Sequence, residues 1–154
     1  MRIVFDLDGT LVDSVPDLTA AVNTMLAGEG VAPLERATVT GFVGDGLPRL
    51  VERTMRHVGL DPADHDRLTR VTLAAYQAHP IMHSQLYPGV VESLARLHAA
   101  GHRLGLCSNK PQAPARVVLA HFGLARFFDV VIGGDSLAVR KPDPAPLLHT
   151  LAAL

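Results

Sequence analysis

Segments with a strand pattern alternate with segments with a helical pattern over residues 90 to 154. Helices are predicted over 90–100, 114–122 and 145–154, with strands at 102–107 and 128–132 between them. Strands that alternate with helices form parallel sheets, because each helix is a crossover that returns the chain to the end of the sheet at which the previous strand began. The pattern therefore predicts an α/β fold with a doubly wound, Rossmann-like parallel sheet.

The N-terminal part adds one strand and a long helical insertion. Residues 2–6 have a strand pattern, but only helical patterns follow from Pro16 to about residue 85. A helical stretch between a strand and its crossover helix indicates an inserted domain. We therefore expect a discontinuous core formed by residues 1–15 and 86–154, with an all-helical domain over residues 16–85.

Two aspartates, Asp6 and Asp8, follow the first strand in the sequence Asp-Leu-Asp-Gly-Thr. Alternation along the strand end directs both carboxylates to one side, and Gly9 allows the backbone to turn sharply beyond them. Ligand sites of open α/β sheets lie at this carboxyl edge. Two like charges held close together need a cation or a shared proton, which suits a divalent metal with a nucleophile and an acid/base pair. A plain turn is the alternative, because Asp-Gly is a common turn dipeptide.

Polar residues also follow the second and third predicted strands. Ser108 and Asn109 come directly after the strand at 102–107, where a hydroxyl and backbone N–H groups ahead of a helix could bind an anionic oxygen. A Ser/Asn helix cap is the alternative. Lys141 lies between the strand at 128–132 and the next helix, where its ammonium group could neutralise a phosphoryl group or simply be a surface charge.

The composition excludes several other classes of protein. The 154 residues carry a formal net charge of -1 with scattered Lys and Arg, so no nucleic-acid partner is expected. No apolar run is long enough to span a membrane and the first residues begin a strand rather than a signal peptide, so we expect a cytoplasmic protein. The single cysteine, Cys107, permits no internal disulfide, and its apolar surroundings predict a buried, unreactive thiol.

The three polar segments that follow the predicted strands together resemble the motifs of a known family. The string Asp6-Leu-Asp-Gly-Thr, then Ser108-Asn-Lys-Pro, then Lys141-Pro-Asp-Pro are similar, in order and in structural context, to the first three motifs of the haloacid dehalogenase-like superfamily of aspartate-nucleophile phosphatases. Within the insertion, residues 41–47 and 50–53 resemble the helical cap of the phosphoglycolate phosphatase branch. The resemblance covers essentially the whole chain.

The resemblance implies a division of roles between the two aspartates. Asp6 would attack phosphorus and form an aspartyl phosphate, and Asp8 would protonate the leaving oxygen and then activate water. Mg²⁺ would bind the Asp6 carboxylate and the Asp8 backbone carbonyl. This division suits phosphoryl transfer, which depends mainly on positioning and charge stabilisation.

The same resemblance implies the residues that hold the phosphoryl group. Ser108 and the N–H of Asn109 would orient it, Lys141 would balance its charge, and Gly9 and Thr10 would line the phosphate site. In the insertion, Gly44, Asp45 and Gly46 would contact substrate, although this loop could equally be a flexible connection between helices.

The expected function is Mg²⁺-dependent hydrolysis of a small phosphomonoester, with 2-phosphoglycolate as the best single guess. A sugar-phosphate mutase of the same superfamily is an alternative, since it shares both aspartates and differs in what accepts the phosphoryl group. A non-catalytic phosphate-binding module is the alternative from a different class. The expected partner is a small-molecule phosphate ester.

One departure from the family pattern concerns its fourth motif, an acidic pair that completes the metal site. Gly134-Asp135-Ser136 resembles its opening, but position 139 is valine where a second carboxylate is needed, so we expect Asp135 to lie in a loop. We therefore expect a C-terminally truncated member with an incomplete sheet, whose first strand is an open edge available for self-association. We therefore expect the isolated chain to bind Mg²⁺ weakly or not at all and to be catalytically silent.

Overall fold

The computed structural model describes residues 1–79 and 81–154, which divide into two compact units. The first, called the core unit below, comprises Met1–Asp13 and Gln85–Leu154. The second, called the helical unit, comprises Ser14–Ser84. The insertion therefore begins two residues earlier and ends one residue earlier than the position at which the sequence pattern changes.

Two strands and four consecutive helices form the first half of the chain, and strands alternate with helices from Gln85 onward. In chain order they are β1 (Arg2–Phe5), β2 (Val12–Asp13), α1 (Val15–Gly28), α2 (Arg36–Thr40), α3 (Leu47–Val58), α4 (His65–Ala78), β3 (Gln85–Leu86), α5 (Val90–Ala99), β4 (Arg103–Cys107), α6 (Gln112–His121), β5 (Val130–Ile132) and α7 (Ala145–Ala153), with single 3₁₀ turns at Pro62–Asp64 and Ala125–Phe127. No helix among the described residues has both the length and the apolar character that a membrane crossing requires.

The core unit contains a parallel sheet in the order β1-β4-β5. Ile3 is paired with Leu104 and Phe5 with Leu106 between β1 and β4, while Cys107 is paired with Ile132 between β4 and β5. The expected α/β fold with parallel strands is thus confirmed. Strand β4 is central and β1 is an edge strand. Because both pairings are parallel, the carboxyl ends of all three strands lie at the same end of the sheet.

Helix α7 packs directly on the central strand. A Cβ atom added to Gly105 of β4 would lie 2.7 Å from Cγ2 of Thr150, and Leu154 is also in contact there. Leu104 and Leu106, on either side of this glycine, are completely buried. The absence of a side chain at position 105 therefore allows the helix to approach the sheet closely.

A second, two-stranded ladder in the core unit was not predicted. Val12 of β2 pairs with Leu86 of β3, and Asp13 pairs with Gln85, in antiparallel orientation. Each strand has two residues, too few to show an alternating pattern in the sequence. The ladder joins the segment that leaves the core unit to the segment that re-enters it.

The helical unit has its own apolar core, formed mainly by α1, α3 and α4. Helix α3 buries Leu50, Val51, Thr54 and Met55, a spacing that puts one face of the helix inward. The buried residues that form this apolar core are Leu18, Ala21, Val22, Met25, Leu26, Val39, Leu50, Val51, Met55, Leu68 and Tyr76. The described residues of this unit contain no strand, as the sequence predicts, but α2 was missed because it has only five residues.

Candidate active site

The loop after β1 is organised around Leu7, whose side chain is completely buried. Its carbonyl oxygen accepts hydrogen bonds from the backbone N–H groups of Thr10, Leu11 and Val12. Gly9 has a φ of 78°, a left-handed conformation that glycine adopts without steric cost. The buried leucine and the tight turn together fix the backbone on both sides of the two aspartates.

Asp6 is held at both carboxylate oxygens while remaining accessible. Oδ1 accepts a hydrogen bond from the N–H of Leu7 at 2.7 Å, and Oδ2 lies 3.0 Å from Nζ of Lys141. The Asp6 side chain is 36% exposed. A carboxylate with this orientation and exposure can act as a nucleophile toward a bound electrophile.

Lys141 links the ends of β1 and β4. Its Nζ donates to the backbone carbonyl of Cys107 at 2.8 Å and forms an ion pair with Asp6, and its own carbonyl accepts a hydrogen bond from Nδ2 of Asn109 at 3.0 Å. Three residues singled out from the sequence, Asp6, Asn109 and Lys141, are therefore brought into one network. Cys107 is buried, as the sequence predicts.

Asp8 has a different cation, which the sequence analysis did not single out. Nζ of Lys110 donates to Oδ2 of Asp8 at 3.1 Å, and both side chains are largely buried, with 6% of the lysine and 17% of the aspartate exposed. The backbone N–H of Lys110 donates to Oγ of Ser108 at 3.3 Å, so the predicted serine is a direct neighbour of this pair.

A signal for Lys110 is present in the sequence. Lys110 and Lys141 are the only lysines of the chain, and the other twelve of its fourteen Lys and Arg residues are arginine. Both lysines contact one of the two motif aspartates. A lysine ammonium is a compact charge on a flexible chain, whereas arginine presents a wide planar fork, so the two are not interchangeable beside a single carboxylate oxygen.

The remaining predicted site residues have other surroundings. Thr10 is exposed, and its backbone N–H donates to Leu7. Gly44, Asp45 and Gly46 belong to the helical unit, where the two glycines have φ values of 134° and 87°. The carboxylate of Asp45 accepts a hydrogen bond from Arg53 of α3.

Arg53 fixes this loop of the helical unit from two sides. Besides Asp45, its guanidinium group donates to the backbone carbonyl of Phe42 at 2.9 Å. The fork of one arginine thus joins two points of residues 42–45.

The donors of the core site suit a hard divalent cation. Asp6 supplies a partly exposed carboxylate, an oxygen ligand of the kind that hard cations prefer. Mg²⁺ is typically bound by one or two carboxylates together with waters and substrate phosphate. No group of three or more His, Cys, Asp or Glu residues that could enclose a metal occurs within residues 1–79 and 81–154. The protein ligands present therefore fit an open magnesium site rather than a closed cage.

The family model described as haloacid dehalogenase-like hydrolase matches residues 1–154. The chain is 50% identical to a phosphoglycolate phosphatase of Cereibacter sphaeroides over 154 residues, covering 99% of the chain and 71% of that relative. A phosphoglycolate phosphatase of Rhodospirillum rubrum is 48% identical over 158 residues, with 99% of the chain and 66% of the relative covered.

A crystal structure of a predicted phosphoglycolate phosphatase from Haemophilus somnus superposes with a TM-score of 0.89 at 32% identity, covering 96% of the chain and 68% of that structure. In this α/β fold both motif aspartates follow β1, at the carboxyl ends of the parallel strands. The chain belongs to the haloacid dehalogenase-like hydrolases. The resemblance to the phosphoglycolate phosphatase branch found in the sequence is confirmed by these relatives, of which the chain spans about two thirds to seven tenths.

Proposed function

We propose that the protein hydrolyses a small phosphomonoester through an aspartyl phosphate on Asp6, with Asp8 as the acid/base group. The observation that carries this proposal is the arrangement of the two carboxylates, each paired with one of the two lysines of the chain. Paired cations allow two acidic side chains to stay close together at one sheet edge. They also provide positive charge where a phosphoryl group would accumulate negative charge.

In the first step, an oxygen of the Asp6 carboxylate forms a bond to phosphorus while the bond from phosphorus to the leaving oxygen breaks. Asp8 gives its proton to that oxygen, so the alcohol leaves in neutral form. The products of this step are the free alcohol and the phosphorylated Asp6 carboxylate.

In the second step, water attacks phosphorus and Asp8 takes its proton. The bond between phosphorus and the Asp6 oxygen breaks, which releases inorganic phosphate and restores the carboxylate. Asp8 regains the proton that it gave in the first step, so the cycle balances without any other reagent.

Ser108, the N–H of Asn109 and the ammonium group of Lys141 are proposed to hold the phosphoryl oxygens, with Gly9 and Thr10 in the adjoining loop. The hydrogen bonds of Lys141 with Asn109 and with the carbonyl of Cys107 support this role, because they place its ammonium group beside Asp6. Mg²⁺, held by the Asp6 carboxylate and the Asp8 backbone carbonyl, would supply further charge stabilisation when bound. Gly44, Asp45 and Gly46 remain proposed substrate contacts.

The proposed substrate is 2-phosphoglycolate, since several relatives that match almost the whole chain have the name phosphoglycolate phosphatase. The expected cytoplasmic location and self-association through the exposed edge of β1 remain predictions.

The test is a Mg²⁺-dependent screen over small phosphate esters that measures release of inorganic phosphate. It should include the 154-residue chain and a longer chain that carries the C-terminal part of the Cereibacter sphaeroides relative. We expect hydrolysis of 2-phosphoglycolate in preference to sugar phosphates, with higher activity in the longer chain. Conversion of a sugar phosphate into its isomer without phosphate release would favour the mutase alternative. Absence of turnover and of phosphate binding in both chains would contradict the proposal.

A further inference from the structure

Lys110 is buried beside Asp8, and its backbone is fixed on both sides. The backbone N–H donates to Oγ of Ser108, and the backbone carbonyl accepts a hydrogen bond from the N–H of Gly134 at 2.8 Å. Only 6% of the lysine side chain is exposed. Lysine is rarely buried to this degree unless its charge is paired, so the contact with Asp8 differs from a mobile surface ion pair.

The contact involves only one of the two oxygens of Asp8. Oδ2 accepts the hydrogen bond from Lys110, whereas Oδ1 is buried without a hydrogen-bond partner among the described residues. A carboxylate anchored at one oxygen has a fixed rotamer, which leaves the other oxygen in a defined position. A buried polar atom without a partner is also costly, so Oδ1 favours a ligand that can satisfy it.

We propose that Lys110 is the positioning residue for proton transfer by Asp8. This inference rests on the proposed function, in which Asp8 exchanges one proton with the leaving oxygen and with water. Nζ of Lys110 holds Oδ2. The exchanged proton therefore travels through Oδ1, first to the leaving oxygen as the bond from phosphorus to that oxygen breaks, and later from the attacking water back to Oδ1.

A different role for Lys110 would be direct binding of the phosphoryl group, as proposed for Lys141. The two roles predict different dependences on the leaving group. The value of kcat/KM reports only the steps up to formation of the aspartyl phosphate, where Asp8 acts as the acid. In kcat/KM a residue that positions this acid matters only where the leaving oxygen needs a proton, whereas a phosphate ligand matters for every ester.

The kinetic test compares 2-phosphoglycolate, whose alkoxide needs protonation, with 2,4-dinitrophenyl phosphate, whose leaving group does not. Lys110→Met should lower kcat/KM for 2-phosphoglycolate by about a hundredfold, the usual contribution of a general acid, and should hardly change it for the dinitrophenyl ester. Lys110→Arg should recover part of the loss. Lys110→Met should cause no further loss in an Asp8→Asn background, because the two residues act as a unit. Equal losses for both esters, or additive losses in the double variant, would overturn the proposal.

A spectroscopic test is independent of turnover. NMR spectra of protein labelled with ¹³C,¹⁵N-lysine contain the signals of two lysine side chains. The signal that disappears in Lys141→Met belongs to Lys141, which assigns the other to Lys110. Asp8→Asn should shift the Lys110 ammonium signal and leave that of Lys141 near its position, and Asp6→Asn should do the reverse. A Lys110 signal that does not respond to Asp8→Asn would refute the pairing, even if Lys110→Met fails to fold.

The two tests also separate failure of this inference from failure of the proposed function. If neither ester is hydrolysed by the unmodified longer chain, the proposed function fails, while the labelled protein still reports whether Lys110 holds Asp8. If hydrolysis requires Asp6 and Asp8 but is indifferent to Lys110, the proposed function stands and the inference is wrong.

Discussion

The backbone N–H of Gln112 donates to Oδ1 of Asp135 at 2.7 Å. Asp135 belongs to the segment that resembles the opening of the fourth motif, and this hydrogen bond engages its carboxylate. The same bond holds the backbone of Gln112, the first residue of α6. The side chain of Gln112 also donates to the carbonyl of Val131, and the N–H of Gly134 donates to the carbonyl of Lys110. The loops after β4 and β5 are therefore joined directly at Lys110, and Asp135 lies in a turn, as the sequence predicts.

The close approach of these two loops predicts that Gly134→Ala is disruptive. A Cβ atom at position 134 would lie 2.3 Å from the backbone carbonyl oxygen of Asn109, which cannot move without displacing the end of β4. We expect a loss of about 1–3 kcal/mol in the free energy of unfolding, as for other overpacked sites. Chemical denaturation measures this change.

Gly28→Ala provides the control for Gly134→Ala. A Cβ atom at position 28, at the end of α1, has no other atom within 4 Å. Stability should be unchanged or higher by up to about 1 kcal/mol, because alanine is the better helix former. An equal change in the free energy of unfolding for the two variants would show that the loops after β4 and β5 can move apart without cost.

Separate replacement of the two aspartates should distinguish their roles. Asp6→Asn should abolish turnover and trapping of the phosphate mimic BeF₃⁻, because no nucleophile remains. Asp8→Asn should retain trapping but lose turnover by about a hundredfold or more, the usual contribution of a general acid. Appreciable activity of Asp6→Asn, measured as release of inorganic phosphate, would contradict the assignment of the nucleophile.

Asp17 should be important for the stability of the helical unit. Its buried carboxylate accepts hydrogen bonds from the backbone N–H groups of His83 and Ser84 and from the hydroxyl of Ser84. In Asp17→Asn an amide NH₂ group would face donors, so we expect a loss of about 1–3 kcal/mol in the free energy of unfolding. Thermal unfolding of the two variants measures this loss. Asp66→Asn, at a side chain that is 90% exposed, is the control and should leave the free energy of unfolding unchanged.

The ion pair between Glu29 and Arg67 predicts a pH-dependent contribution to folding stability. The Arg67 guanidinium lies 2.8 Å from the Glu29 carboxylate, and its hydrogen bonds hold the pKa of Glu29 below the usual value of 4.5. The folded state therefore binds fewer protons than the unfolded state as the pH falls below that value. The stabilisation is complete above pH 4.5 and is lost as the pH falls through the pKa of the folded state.

Glu29→Gln should therefore lower the Tm slightly at neutral pH, and the difference from the parent chain should disappear in acid. Added salt should reduce the difference, because the pair is partly exposed and therefore screened. Glu35→Gln, at an exposed glutamate of the same unit, is the control. A difference between Glu29→Gln and the parent chain that persists unchanged in acid would contradict this account.

Local patterns were sufficient to predict most of the fold. The parallel α/β order followed from strand and helix periods, and the turn after Asp6 and Asp8 followed from Gly9, because these features depend on residues close together in the chain. The ends of elements were less predictable. Helix α6 begins at Gln112 rather than at residue 114, since its first N–H is bound by Asp135, 23 residues away.

The sequence by itself determined that the candidate site residues follow the carboxyl ends of strands. Parallel pairing brings these strand ends to the same end of the sheet. It could not determine which cation serves which carboxylate. The contact between Lys110 and Asp8 joins residues 102 positions apart, and the two-residue ladder of Val12 and Leu86 is too short to have a pattern. Such contacts depend on strand register and on how closely loops approach, as at Gly134 and Asn109. Only the tertiary structure fixes those distances, because they are set by packing between segments that are remote in sequence.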